Sequence, residues 1–436
     1  MDWQERFLTV LKESRPAWDE PGDWRAALAL YEGLSPAEAA ELDRTVLQMI
    51  RIEYRNPHAS HEQLPFDDVM VNLPAGMTPD DLLCIEGAVL VAAERGLGEA
   101  FFAFNRLMRL PTWHILQGRL QWLSREGFDA QRKLGMTRAG RGAGALLGLA
   151  AGDALGCTLE FMSREAVRAA YPQGHRDIVG GGPFQIPPGG WTDDTEMSLG
   201  VARGIIEAPA DPVDAVGRHF MAWFRSGPRD VGTTCREALV AFQRTGSWEA
   251  AAQAVAQSRG DRAGGNGALM RTLPAAVAYG ERVEEALRIG RMTHPHPESD
   301  AAVAAYHRMV NALLDGGSKE EALRAAVAAA GPLAERLADL ADRPEDAIAS
   351  SGYVVHTLEA AIWSFLRTGS LEECLVTAVN LGDDADTVGA VAGGLAGAAY
   401  GPFAVPRRWS LKLSGRGELE ELAEGLYQIY LTQHDR

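Results

Sequence analysis

The stretch DDADTVGAVAGGLAGAAYG, residues 383–401, leaves this chain little choice of architecture. Glycine weakens an isolated helix, so a run this rich in Gly and Ala is useful only as a helix packed tightly against a neighbour. A second run of the same texture, RGAGALLGLAAGDALGCTLEFMSR, covers residues 141–164 and reads as a central packing helix. It carries Asp153 in its middle and Glu160 at its end, and buried acids are costly unless paired or metal-bound. Nothing alternates with period two for long, and Val, Ile and Thr runs are scarce, so the expected class is all-α.

The acids at the start of the 383–401 run have an echo in Trp191-Thr192-Asp193-Asp194-Thr195, which opens an apolar run through Met197, Leu199, Val201, Ile205 and Ile206. Successive helical residues point about 100° apart. Asp193 with Asp194, or Asp384 with Asp386, therefore converge only from an irregular first turn, where acids also suit the helix dipole. Carboxylate and hydroxyl oxygens without soft ligands suit hard cations such as Mg2+ and Mn2+. Two such clusters, far apart in sequence, predict one metal site closed by the fold.

Gly- and Pro-rich loops at 180–183 and 187–190 lead into the first cluster and allow close backbone approach to a ligand. The segment GGNGALMR, residues 264–271, is a second Gly-rich turn whose N–H groups could cradle a phosphate. It lacks the Lys-Ser/Thr ending of a P-loop and the spacing of a dinucleotide fingerprint. In THPHP, residues 293–297, one histidine is expected to donate to a substrate phosphate or hydroxyl and the other to be structural or exposed. A helix is expected from about Glu298 to Leu314, and Ser351-Gly352-Tyr353 begins another.

A formal net charge of −17 argues against a nucleic-acid backbone or an anionic membrane as the main partner. The longest apolar stretches, Leu146–Leu155 and Val388–Tyr400, are too short to span a bilayer, and Asp153 interrupts the first. Cys84, Cys157, Cys235 and Cys374 form no CxxC pair, which argues against a disulfide framework or a zinc site and for a reducing cytosol. The N-terminus MDWQERFLTVLKES lacks a signal-peptide core, so the expected location is cytoplasmic.

Texture divides the chain into residues 1–135 and 136–436, with the boundary in the basic, Gly-rich stretch near Lys133 to Arg141. In the first part Ser35-Pro36-Ala37-Glu38 reads as a capping box starting a helix through roughly Arg55, and Thr78-Pro79 starts another. Residues 56–77 read as a loop, Trp113 to Trp122 as an amphipathic helix, and His58 and His61 as plain surface residues. No catalytic motif is present in this part, which looks like a mainly helical module for packing or for a partner.

Six motifs in order, GALLGLAAGDALGCTLEF, GGWTDDTEMSL, GGNGALMR, THPHP, SGYVVHTLEAA and LGDDADTVGAVAGGLAGAAYG, resemble the ADP-ribosylglycohydrolases over about residues 138–432. The resemblance implies an all-α, orthogonally packed domain with a binuclear Mg2+ (or Mn2+) site. It also implies hydrolysis of the N-glycosidic bond joining ADP-ribose to a modified protein side chain, usually arginine. By motif position it makes Thr192, Asp193, Asp194, Asp384, Asp386 and Thr387 the metal ligands, and Glu160 and Asp194 the catalytic carboxylates. Gly265, Asn266, Gly267 and Ala268 match the phosphate-binding loop, His294 the histidine near the phosphate, and Tyr353 the position lining the ribose or adenine side. At Asp383 many relatives have Gly, so this chain is expected to add a carboxylate beside the site. The N-terminal extension resembles that of immunity proteins against ADP-ribosyltransferase toxins. A second reading is therefore a protein that binds and blocks such a toxin, with or without hydrolase activity.

Overall fold

The computed structural model of the protein describes residues 3–14, 24–50, 79–108 and 126–434. His58, His61, the expected 56–77 loop and the expected Trp113–Trp122 helix lie outside the described residues. Two compact units are present, Met1–Gly140 and Arg141–Arg436. Among the described residues there is no strand, and the only extended pairings are the isolated bridges Gly181–Ile186 and Gly265–Tyr353. The all-α expectation holds. No helix among the described residues is long and apolar enough to cross a membrane.

In the first unit, the Pro36–Ile50 helix packs on the Pro79–Arg95 helix, burying Leu42, Val46, Ile50, Ala88 and Val91 with Phe7 and Leu11. The capping box forms: Glu38 N–H donates to Ser35 Oγ at 3.4 Å, while Ser35 N–H donates back to Glu38 Oε2 at 2.9 Å. Trp24 lies on the bare backbone of Gly87, where a Cβ would come within 2.6 Å of its ring. The stretch expected as a Gly-rich break near Arg141 is mostly helical. Only Met136 and Thr137 separate the Glu126–Gly135 helix from the Arg138–Gly156 helix.

The second unit is built on a seam between the Arg138–Gly156 and Ala385–Tyr400 helices. Gly144, Gly148, Gly152 and Gly156 face Gly397, Gly393, Gly389 and Ala385 in turn, so the two helices run antiparallel. A methyl group at Gly148 would overlap the Gly393 carbonyl, and one at Gly393 would overlap the Gly148 carbonyl. Backbone thus touches backbone, which explains why these positions carry no side chain. On another face of the same helix, Tyr306 from the Pro297–Leu314 helix donates to the Val391 carbonyl at 3.0 Å, in space opened by Gly394. The seam's antiparallel register sets Glu160, just beyond one helix, against Asp384 and Asp386 at the start of the other. Against this pair stands the Asp193–Glu207 helix, which packs on the Val213–Arg225 helix.

Candidate metal centre and substrate cleft

Asp153 organises the first acidic cluster without joining it. Its carboxylate accepts from Thr192 N–H at 2.9 Å and Oγ1 at 3.0 Å, and from Thr195 N–H at 3.0 Å and Oγ1 at 2.6 Å. An acid from the neighbouring helix therefore caps the Asp193–Glu207 helix, which has no cap from its own Thr192. Of the two ways a buried acid can be satisfied, Asp153 uses pairing: four hydrogen-bond contacts from Thr192 and Thr195 hold it. Burial pushes its pKa up to about 6 against the pull of those bonds.

With the cap supplied from outside, the side chains of Thr192, Asp193 and Asp194 turn to one another and to the second cluster. Asp194 Oδ2 accepts from Thr192 Oγ1 at 3.1 Å and from Thr387 Oγ1 at 3.2 Å, which joins the two clusters directly. Asp193 Oδ2 accepts from Gly232 N–H at 2.9 Å, and Asp384 Oδ2 from Asn266 Nδ2 at 2.9 Å. Ligand atoms of Glu160, Asp230 and Asp386 lie within 4.8 Å of one another. The structure thus gathers Glu160, Thr192, Asp193, Asp194, Asp384, Asp386 and Thr387.

Asp230 is a member that sequence reading misses. It sits in SGPRDVGTT between two helices, with no carboxylate beside it in the chain. Only its tertiary neighbours reveal it: Glu160 and Asp386 within 4.8 Å, and Asp193, whose nearby charge helps raise its pKa.

The electrostatics are one-sided. Glu160 is pushed up to about 9 by burial and then by Asp230, Asp384 and Asp193, and Asp230 up to about 8 by burial and then by Asp193. Asp194 and Asp386 are held well above the usual carboxylate range, first by burial and then by neighbouring acids. Buried Glu160 Oε2, Asp194 Oδ1 and Asp386 Oδ1 have no hydrogen-bond partner among the described residues. Buried acids crowded by other acids, with oxygens left unpaired and no soft ligand among them, fit hard divalent cations.

The Gly264–Ala268 turn meets this cluster through Asn266, whose Nδ2 donates to Asp384 Oδ2 and, at 3.0 Å, to Thr357 Oγ1. Its backbone is stitched to the Tyr353 segment: Asn266 N–H donates to the Gly352 carbonyl at 3.1 Å and Val354 N–H to the Gly264 carbonyl at 3.0 Å. Gly265 is half-buried, Gly267 and Ala268 are buried, and Tyr353 stands half-buried beside them. His294 lies beneath the turn, 2% exposed, with Nδ1 2.7 Å from Thr293 Oγ1. A Cβ on Gly267 would come within 2.6 Å of its ring. Burial and then the Arg271 charge hold it well below the usual histidine range, so the ring is neutral. His294 supports the turn from within, and His296 caps the Pro297–Leu314 helix by accepting from Glu298 N–H at 3.3 Å.

Asp383 is exposed, so its side chain adds no buried oxygen to the cluster. Its φ of 56° is the left-handed conformation that Gly adopts freely and Asp tolerates. Its backbone holds the end of the first helix, donating to the Met162 carbonyl and accepting from Phe161 N–H, both at 2.7 Å.

A cleft of about 430 Å3 opens beside the cluster, with Thr192, Asp193 and Asp230 in its lining and Trp191, Glu196 and Trp223 farther along.

Comparison with known proteins agrees with this geometry. The chain is 39% identical over 284 residues, 64% of its length and 92% of the relative's, to the ADP-ribosyl-(dinitrogen reductase) glycohydrolase of Rhodospirillum rubrum. It is 35% identical over 303 residues, 66% of this chain and 78% of the other, to the ADP-ribosylarginine hydrolase Tri1 of Serratia proteamaculans. A solved structure described as an ADP-ribosylglycohydrolase-related protein complex covers 67% of this chain and 99% of its own, at TM-score 0.57 and 35% identity. The family model for ADP-ribosylglycohydrolase matches residues 135–436. With that match over most of its length, and with the acidic cluster at its centre, the chain belongs to the ADP-ribosylglycohydrolase family of enzymes.

Proposed function

We propose that this chain is a divalent-cation-dependent glycosidase that removes ADP-ribose from arginine side chains of proteins. The observation that carries the reading is the convergence of buried, unpaired carboxylate oxygens from Glu160, Asp194 and Asp386 beside an open cleft. The arginine linkage is supported by similarity to hydrolases named for ADP-ribosylarginine in Serratia proteamaculans and Pseudomonas putida.

In this reading Thr192, Asp193, Asp194, Asp384, Asp386 and Thr387 hold two Mg2+ (or Mn2+) ions. When bound, these supply Lewis acidity toward the ribose hydroxyls and water. The 264–268 turn binds the diphosphate through backbone N–H groups, with His294 beneath it, and Tyr353 offers its ring to the nucleoside side. The bond broken joins the anomeric carbon to a guanidinium nitrogen, which leaves with the electron pair. Water gives its hydroxyl to the carbon, and Glu160, which the charge of bound cations would bring from its raised pKa to the carboxylate form, takes the proton released. Asp230, on the cleft side, protonates the departing guanidine, and the two carboxyls pass the proton between them within 4.8 Å. Asp194 stabilises positive charge developing at the anomeric carbon.

The test is ADP-ribose release from arginine- and serine-linked ADP-ribosyl proteins, side by side, with Mg2+, Mn2+ or a chelator. Release from the arginine-linked protein that requires a divalent cation is expected. Cation-independent release, or a serine preference, overturns the reading.

The Met1–Gly140 unit is read as a partner-binding module, and the partner as a cognate ADP-ribosyltransferase toxin. The observation favouring this is a compact helical unit lying almost wholly outside the family match at 135–436. A pull-down of the full-length chain with a neighbouring toxin tests it, and absence of binding sinks the blocking role. Four buried free cysteines support a reducing, cytoplasmic location.

A further inference from the structure

We propose that the cleft walled by Trp191, Glu196 and Trp223 is an acceptor subsite that takes the guanidinium of the modified side chain. In this role it selects a cationic leaving group. The inference rests on the hydrolase reading above.

A substrate of that class has two ends, a nucleotide diphosphate and a protein side chain, with the scissile bond between them at the acidic cluster. The Gly264–Ala268 turn and Tyr353 reach the cluster from the Asp384 side, through the Asn266 amide. The cleft reaches it from another side, through Thr192, Asp193 and Asp230, and shares no lining residue with the turn. The nucleotide end fills the first approach, so the second is left for the side chain.

Its walls suit a flat cation. Half-buried Trp191 donates from Nε1 to Glu196 Oε1 at 3.0 Å, which fixes the carboxylate beside the indole edge. The Trp191 ring is itself fixed against Gly415, where a Cβ would come within 2.6 Å of it. Glu196 Oε2 makes no hydrogen bond with the described residues and is left to accept from a guanidinium. Trp223 supplies a second aromatic surface to the same cleft. An aromatic face with a fixed carboxylate is the recognition that a planar, delocalised, weakly hydrated cation rewards. Arg229 also lines the cleft, but its guanidinium is engaged, donating to the Gln185 carbonyl. A neutral seryl leaving group would gain nothing from Glu196.

The test uses the full-length chain with Mg2+ and three variants: Glu196→Gln, Trp223→Ala and Trp223→Phe. Glutamine keeps an acceptor for Trp191 and removes only the charge. Three quantities are measured: kcat/KM on an arginine-linked ADP-ribosyl protein, kcat/KM on a serine-linked one, and the Kd of free ADP-ribose. Glu196→Gln and Trp223→Ala should each lower kcat/KM on the arginine-linked protein roughly tenfold. Trp223→Phe should restore most of it, and the Kd for ADP-ribose should stay at the wild-type value in all three. Unchanged arginine-linked kcat/KM in an otherwise active enzyme overturns this inference alone. A parallel loss of ADP-ribose affinity also overturns it, because the cleft would then serve the nucleotide. A wild-type chain inert on arginine-linked protein overturns both readings.

Discussion

Glu359 and Asp386 are both buried acids on helices that pack against each other, yet the fold treats them in opposite ways. Glu359 receives Arg336 through two bonds at 2.8 Å and Arg343 through one at 3.0 Å. Asp386 has an oxygen with no partner, and the charges weighing on it are those of Asp194, Asp384, Glu160 and Asp153. A protein that places two arginines on one buried carboxylate has the means to neutralise others. Leaving a cluster of them unneutralised makes it a place that external cations, as in the proposed function, would be needed to balance.

Three measurements bear on that contrast. The largest effect is expected from Asp386→Asn, which should abolish ADP-ribose release while the metal-free protein melts no earlier than wild type, since the amide is neutral at a place where burial and neighbouring acids oppose a carboxylate. Full activity, or a clear loss of stability without metal, would erase the difference between the two sites.

A smaller effect follows from pH. Glu160 near 9 and Asp230 near 8 keep protons in the folded chain that they release near pH 4 when unfolded. Between those values the native state binds more protons, so stability is highest at low pH and falls as pH rises through 8 and 9. The melting temperature of chelator-treated protein should therefore drop from pH 5 to pH 9, and saturating Mg2+ should flatten the drop. A profile that rises with pH, or ignores Mg2+, contradicts the assignment.

The smallest effect belongs to Glu359→Gln. Its arginines reach solvent, with Arg336 side-chain exposure of 48%, so the expected cost is only about 2 kcal/mol in urea unfolding. Specific activity per folded molecule should be retained. If activity fell instead, Glu359 would belong with the cluster.

What the sequence discloses follows the reach of the rules applied to it. Helix starts are legible because capping is local: Ser35 with Glu38 forms the reciprocal bonds its spacing implies. The Gly/Ala runs are legible as packing helices, but not as each other's partner, because the four-residue spacing of Gly144, Gly148, Gly152 and Gly156 names no opposite strand of glycines. Whether Asp153 is paired or metal-bound stays open in the sequence, because a lone buried acid looks the same whether it caps or ligates. Its four donors come from a distant turn. Asp230 carries no local signal at all. In THPHP, the text does not tell which ring is inside. Packing under Gly265 and Gly267 decides it for His294.

The glycine seam also orders events in time. It joins one of the first helices of the second unit to one of its last, so its contacts are non-local and form late. During synthesis, Glu160 and Asp194 emerge long before Asp386, and they remain hydrated until the chain past Tyr400 can dock. Complete burial of the acids therefore needs the 385–400 helix, which lies near the end of the chain.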